Sequence, residues 1–251
     1  DRGFEVTTKD WIQRFGAYYQ EQLEAYKVEK RKRVNILKLD SLMQMMLDDF
    51  RAPIGAALTD ADVEQLKIGD LVYLSGPCFT CRSKLQRYIF DEGHTLPFQP
   101  EPGSVLIHNG PIVVKEDGKW KLMSFMPTSS IRFEKWGAKS VENWGLKMII
   151  GKTTMGEETM AMMQEKKCVH VSPQCVSPNA WVENIKITDV ELFDELGTIE
   201  ATWHMTVNEL GPFVVDIDCK GNNLYKNHEH EVDECREQAL AKLGIESDFE
   251  Y

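Results

Sequence analysis

Long apolar runs are missing from this sequence. None approaches the roughly 20 residues that a bilayer-spanning helix requires, so a membrane protein of that kind is excluded. Basic charge is also short: 29 lysines and arginines face 40 aspartates and glutamates, a formal net charge of −11. Phosphate binding needs clustered cations, so a broad nucleic-acid surface is not expected. The one basic cluster, Lys30-Arg31-Lys32-Arg33, reads as a solvated helix face, with a polyanion patch as the alternative. Six cysteines in 251 residues are too sparse for a disulfide framework. No signal-peptide pattern is visible, so a reducing cytoplasm is the expected location. Internal repeats and low-complexity linkers are lacking too. The chain opens on Asp1 rather than Met, and further residues are expected upstream.

What is present has the composition of an ordinary globular protein, 42% hydrophobic and 27% charged. Residues 1–56 read as a helical arm. Trp11, Phe15, Tyr19, Leu23 and Tyr26 recur every three or four residues, a single stripe that packs on the chain's own domain or grips a partner. A mixed α/β domain is expected over residues 57–226. It opens with a capped turn at Thr59-Asp60-Ala61-Asp62 and a strand at Leu71–Leu74, after which Ser75-Gly76 turns the chain. Further strands are predicted at Val105–Ile107, Lys121–Phe125, Leu146–Ile150, Val169–Val171, Ile185–Leu192, Ile199–Val207 and Phe213–Ile217. Helices are predicted over Arg82–Phe90, from Ile131, and over Gly156–Lys167. An acidic helix closes the chain within residues 227–251.

The stretch from Met126 to Thr154 organises the functional reading. Thr128-Ser129-Ser130-Ile131-Arg132 and Gly151-Lys152-Thr153-Thr154 each set hydroxyls and one cation after an apolar run and before a predicted helix. A helix start leaves N–H groups unpaired and carries partial positive charge, so each end is a receptor for an anion. Arg82, Arg132 and Lys152 share this place between strand and helix. An arginine fork matches a carboxylate and a lysine adds a point charge; three structural salt bridges are the alternative. Gly151-Lys152-Thr153 is not a full phosphate loop, because Leu146 occupies the position of the first glycine. Cys78-Phe79-Thr80-Cys81 lacks a second pair at zinc spacing, and His228-Glu229-His230 lacks a third ligand, so no metal site is assigned to either.

Several segments together resemble one family. Leu66 to Gly76 with Thr80 and Arg82, His108-Asn109-Gly110-Pro111, Pro127 to Arg132, Ile150-Gly151-Lys152, Leu196-Gly197, Glu200 to Trp203 and Asp216 to Asn222 stand in the order found in class I iron–sulfur fumarases and the β subunit of L(+)-tartrate dehydratase. The resemblance implies a swivelling β/β/α domain of the fumarase C-terminal type and a hydro-lyase acting on a small dicarboxylate. It implies a 4Fe-4S cluster held by a partner α subunit, in an αβ or α2β2 assembly. By the same resemblance Arg82, Ser129 and Arg132 bind substrate, Thr128 abstracts the proton, and Lys152 sits beside it. A non-catalytic assembly or regulatory subunit is the rival, as is a stand-alone dicarboxylate-binding protein. Two departures stand out. The family pattern R-D-x-A-H reads Arg82-Ser83-Lys84-Leu85-Gln86 here, and Ser172-Pro173 begins the segment where glycines are expected.

Overall fold

The computed structural model describes residues 58–173 and 177–243, all within one compact unit, Phe50–Tyr251. The expected N-terminal arm and the Lys30–Arg33 cluster lie outside the described residues. In chain order the elements are α1 (Asp60–Glu64), β1 (Leu71–Cys81), α2 (Ser83–Phe90), β2 (Ser104–His108), β3 (Ile112–Glu116) and β4 (Lys119–Ser124). A 3-10 turn (Ser130–Phe133) then leads to α3 (Glu134–Asn143), β5 (Leu146–Ile150), α4 (Glu157–Lys166), β6 (Val169–Pro173) and β7 (Ile185–Glu191). The series ends with α5 (Phe193–Leu196), β8 (Thr202–Ile217), α6 (Leu224–Asn227) and α7 (Glu229–Leu243).

Strands β1, β2, β5 and β6 are neighbours and parallel. Strand β8 runs antiparallel to both β6 and β1, which closes a five-stranded barrel-like sheet, and β7 joins as a sixth strand along β8. Alternate residues of a strand face opposite ways, and two cores follow. Val105, Ile107, Met148, Ile150, Val169, Val171, Trp203 and Phe213 pack in one cluster with Leu122 and Phe125 of the β4 segment. Leu106 and Ile149, from the same strands, pack with Leu85 of α2, Val141 of α3 and Met163 of α4 in the other. The mixed α/β class is as expected from the sequence.

Two local expectations are corrected. Ser75-Gly76 does not turn the chain; β1 continues to Cys81, with register shifts before Gly76 and the Ser75 hydroxyl accepting from the Glu209 N–H at 2.8 Å. Gly76 has φ +134°, which suits a bulge that bends a strand without ending it. The separate strands expected at Ile199–Val207 and Phe213–Ile217 are one strand, β8. Pro212 cannot donate to a ladder, but it falls where β8 exchanges β7 for β6 as neighbour and where its register with β1 shifts. The strand expected over Lys121–Phe125 is β4, and it pairs in a hairpin outside the main sheet with β3, which was not expected because it is mostly exposed and lacks a clean alternation.

Candidate functional site

Parallel neighbouring strands end along one edge, so the residues after β1, β2 and β5 come together. Cys81 stands opposite His108, and Ile107 opposite Ile150. Arg82, Asn109 and Lys152 follow these strand ends. The segment leaving β4 lies across the same edge as a short backbone extension. The Thr128 N–H donates to the His108 carbonyl at 2.7 Å, the Lys152 N–H to the Thr128 carbonyl at 2.9 Å, and the Ser130 N–H to the Lys152 carbonyl at 2.8 Å. Ser129 and Lys152 form a parallel bridge. The two stretches joined only by residue type in the sequence are thus joined by backbone.

Arg132 is exposed, and its guanidinium donates to the Thr128 hydroxyl while lying 5.9 Å over the Phe133 ring. Thr128, Ser129 and Lys152 are half-buried. Arg82 lies at the end of β1 as the residue before α2, and a Cβ on Gly110 would meet its Cδ at 2.9 Å and the Ile199 carbonyl at 2.4 Å. Glycine at 110 is what lets Arg82 pack so close to the end of β2. Glu200 faces Arg82, with Oε1 3.3 Å from Nε, and accepts from the Lys84 N–H at 2.8 Å. The Arg82 contact is an ion pair without hydrogen-bond alignment, so Nε has no hydrogen-bonding partner. Thr128, Ser129, Arg132 and Lys152 are therefore brought together, while Arg82 sits on the same edge already opposed by a carboxylate.

The expectation that Arg132 and Lys152 each open a helix is corrected. Arg132 lies within the 3-10 turn, and α3 begins two residues later. Lys152 precedes α4 by five residues, and the start of α4 is filled from within the chain. Glu134 accepts from the Gly156 N–H at 2.6 Å, the Thr159 N–H at 3.1 Å and the Thr159 hydroxyl at 2.7 Å. A helix start favours an anion, and this one already has a carboxylate from α3.

Beneath the hydroxyl stretch runs a buried polar chain. The Ser130 hydroxyl lies 2.8 Å from His108 Nδ1 and 2.8 Å from His170 Nε2; His170 Nδ1 lies 2.7 Å from Asp216 Oδ1. The Ser172 hydroxyl is 2.6 Å from the same Asp216 oxygen and 2.9 Å from the Thr153 carbonyl. Ser130, His108, His170 and Asp216 are completely buried. Burial, and secondarily His170, pushes the His108 imidazole well below its usual range and keeps it neutral. A Cβ on Gly151 would meet the Ser130 hydroxyl at 1.8 Å, so only glycine leaves room for it. Sequence reasoning missed His170 and Glu134. Ser130, Ser172, His108 and Asp216 were visible only as members of the segments that stood out, without this role.

The remaining motifs fall elsewhere. Cys78 and Cys81 belong to opposite cores; burial pushes the Cys78 thiol up to about 12 and the Cys81 thiol well above its ordinary value, so both are unreactive. His228 pairs with Glu231 at 2.9 Å. Among the described residues, no three His, Cys, Asp or Glu side chains are grouped to hold a metal ion, and no helix is long and apolar enough to cross a membrane.

A family model described as "Fumarase C-terminus" matches residues 18–228. The chain belongs to the fumarase C-terminal family. It is 35% identical over 164 residues to the L(+)-tartrate dehydratase subunit beta of Escherichia coli (strain K12), covering 65% of this chain and 81% of the relative. A putative L(+)-tartrate dehydratase subunit beta of Methanocaldococcus jannaschii is 32% identical over 173 residues, covering 67% and 88%. A putative fumarate hydratase class I of Geobacillus stearothermophilus is 29% identical over 175 residues, 69% of this chain but 33% of that relative. The chain is related to hydro-lyase subunits. Its first departure from the family pattern is absorbed in helix packing: Gln86, in place of histidine, is buried and donates to the Ser140 hydroxyl of α3 at 3.0 Å.

Proposed function

We propose that this chain is the β subunit of a two-subunit, 4Fe-4S-dependent hydro-lyase acting on a small dicarboxylate of the fumarate, malate or tartrate type. The contact that carries the reading is the Arg132 guanidinium on the Thr128 hydroxyl, at an edge where Lys152 is strapped beside Ser129. A hydroxyl is a poor base because its ordinary pKa is far above neutral. A charge-assisted hydrogen bond from a guanidinium and a second nearby cation favour its deprotonated form. Thr128 then takes the proton from the substrate carbon, Ser129 and Arg132 hold one carboxylate, Arg82 orients the other, and Lys152 stabilises negative charge beside them. The exchange of Glu200 for a substrate carboxylate would free the Arg82 fork.

When bound on a partner α subunit, the cluster supplies a Lewis acid to the substrate hydroxyl. The described cysteines do not fit that role themselves: Cys78, Cys81, Cys168 and Cys219 are buried, with Cys78 and Cys81 in different cores, Cys235 is exposed, and none of the five belongs to a metal-holding group among the described residues. The relatives that are beta subunits of L(+)-tartrate dehydratase support an αβ or α2β2 assembly. The test is an anaerobic preparation with an α chain bearing three cluster cysteines, assayed on fumarate, malate, mesaconate and the tartrates. Water addition or removal on one of them is expected; an intact cluster-loaded complex inert on all would overturn the substrate reading.

One observation favours a second reading, a subunit kept for assembly. Ser83 and Gln86 stand where the family pattern has an acid and a histidine, and Arg82 is opposed by Glu200. Arg132→Ala separates the two: unchanged turnover in an intact complex favours assembly, and lost turnover favours catalysis.

A further inference from the structure

We infer that Asp216 is a positioning residue that couples the two halves of the candidate site through two arms. One arm runs from Asp216 through His170 to the Ser130 hydroxyl, within the Thr128–Arg132 stretch, by contacts of 2.7 and 2.8 Å. The other runs through the Ser172 hydroxyl to the Thr153 carbonyl, next to Lys152, by contacts of 2.6 and 2.9 Å. The two stretches meet again through the backbone, where the Ser130 N–H donates to the Lys152 carbonyl. Asp216, at the far end of β8, therefore closes a ring beneath the residues that face a ligand.

With Asp216 as the carboxylate, His170 Nδ1 donates to it and the opposite ring nitrogen, Nε2, meets the Ser130 hydroxyl. The same hydroxyl meets His108 Nδ1, and the Ser172 hydroxyl lies within hydrogen-bonding distance of both the Asp216 carboxylate and the Thr153 carbonyl. That matters because Thr153 has φ +66°, a conformation a β-branched residue holds only when its surroundings impose it. The Ser–His–Asp order is that of a nucleophilic triad, but Ser130 is fully buried under Gly151 and cannot reach a substrate. Its task is to hold the loop, and because both arms end on Asp216, loss of that one side chain releases both stretches while loss of one arm releases one.

Hydrogen exchange on the full chain, followed by mass spectrometry, tests the coupling. Asp216→Asn keeps the shape and loses the charge. Peptides containing Ser130 and Lys152 are expected to exchange about tenfold faster together, while the β3–β4 hairpin keeps its rate. Ser172→Ala, which cuts one arm, is expected to speed only residues 151–154, and it decides the matter if Asp216→Asn does not fold. Acceleration of one stretch alone in Asp216→Asn, of neither, or of the whole chain equally overturns the inference, as does a Ser172→Ala protein with unchanged exchange at 151–154. The catalytic consequence rests on the function proposed above. In the complex with its α subunit, Asp216→Asn is expected to lower kcat about tenfold or more with KM changed less than about threefold, because misplacement harms reacting geometry more than binding. A rise in KM alone counts against it. A wild-type complex inert on every dicarboxylate would remove the proposed function, while the exchange result would still decide the coupling.

Discussion

The stretches Thr128–Arg132 and Gly151–Thr154 look alike in sequence, yet they do different work in the fold. The first leaves a hairpin outside the main sheet, leaves Thr128 and Ser129 half-buried, and ends on an exposed arginine bonded to Thr128. The second ends a buried central strand, and the helix after it has its free N–H groups taken by Glu134. A hydroxyl and a cation near a helix start therefore do not suffice to make an anion site. What decides is whether the chain has already supplied the anion.

The largest expected effect separates the two stretches by function. In the α-containing complex, Arg132→Ala should cost about 100-fold or more in kcat/KM, on the scale of lost proton-transfer support, and Lys152→Ala clearly less. Thermal melting of the isolated chain should scarcely change for Arg132→Ala, since the side chain is exposed. Equal kinetic losses from the two variants would erase the distinction.

The second expected effect breaks the comparison from the other side. Glu134→Ala leaves three donors of the α4 start without their carboxylate. A loss of about 2–3 kcal/mol in urea unfolding is expected, with partial recovery in sulfate, because the start of α4 then becomes the open anion receptor that the sequence suggests. No recovery in sulfate would show that the site does not admit an external anion even when vacated.

Gly151→Ala addresses the seam between the stretches. The added carbon would meet the Ser130 hydroxyl at 1.8 Å, and a loss of about 1–3 kcal/mol should appear in the same unfolding measurement. Pairing it with Ser130→Ala should recover part of the loss; no recovery would place the strain elsewhere.

The smallest effect is a pH dependence. The folded-state pKa of His108 lies below its unfolded value of about 6.5, so the unfolded chain takes the proton first. Its contribution is fully present above that value and lost as pH falls below it, by at most about 1.4 kcal/mol per pH unit for one proton. Melting curves between pH 7.5 and 5 should show a slope that His108→Asn reduces. An identical slope would mean that other groups carry the acid sensitivity.

Much of the local structure was legible. The predicted strand Leu146–Ile150 matches β5, and the predicted helix Gly156–Lys167 is α4 with its two capping residues, because an apolar run and flanking glycine and lysine signal themselves within a few residues. Four of the five predicted site residues also meet: three lie within five residues of one another, and backbone hydrogen bonds tie that segment to Lys152 after β5. Less legible were β3, whose exposed residues carry no clean pattern, and β8, whose Gly211-Pro212 reads as a break unless its neighbours are known. The Glu134 cap and the Asp216 ring were invisible, because their partners lie 19 to 46 residues apart.

By itself, the sequence determined the mixed α/β class, the family, and the residue types offered to an anion, since these depend on local periodicity and on motifs read along the chain. Only the tertiary structure decided which helix start was already neutralised, that β8 closes the sheet against β1, and that Asp216 stands under both stretches. Those are choices of pairing between distant segments, made by which buried groups satisfy one another, and no local pattern encodes them.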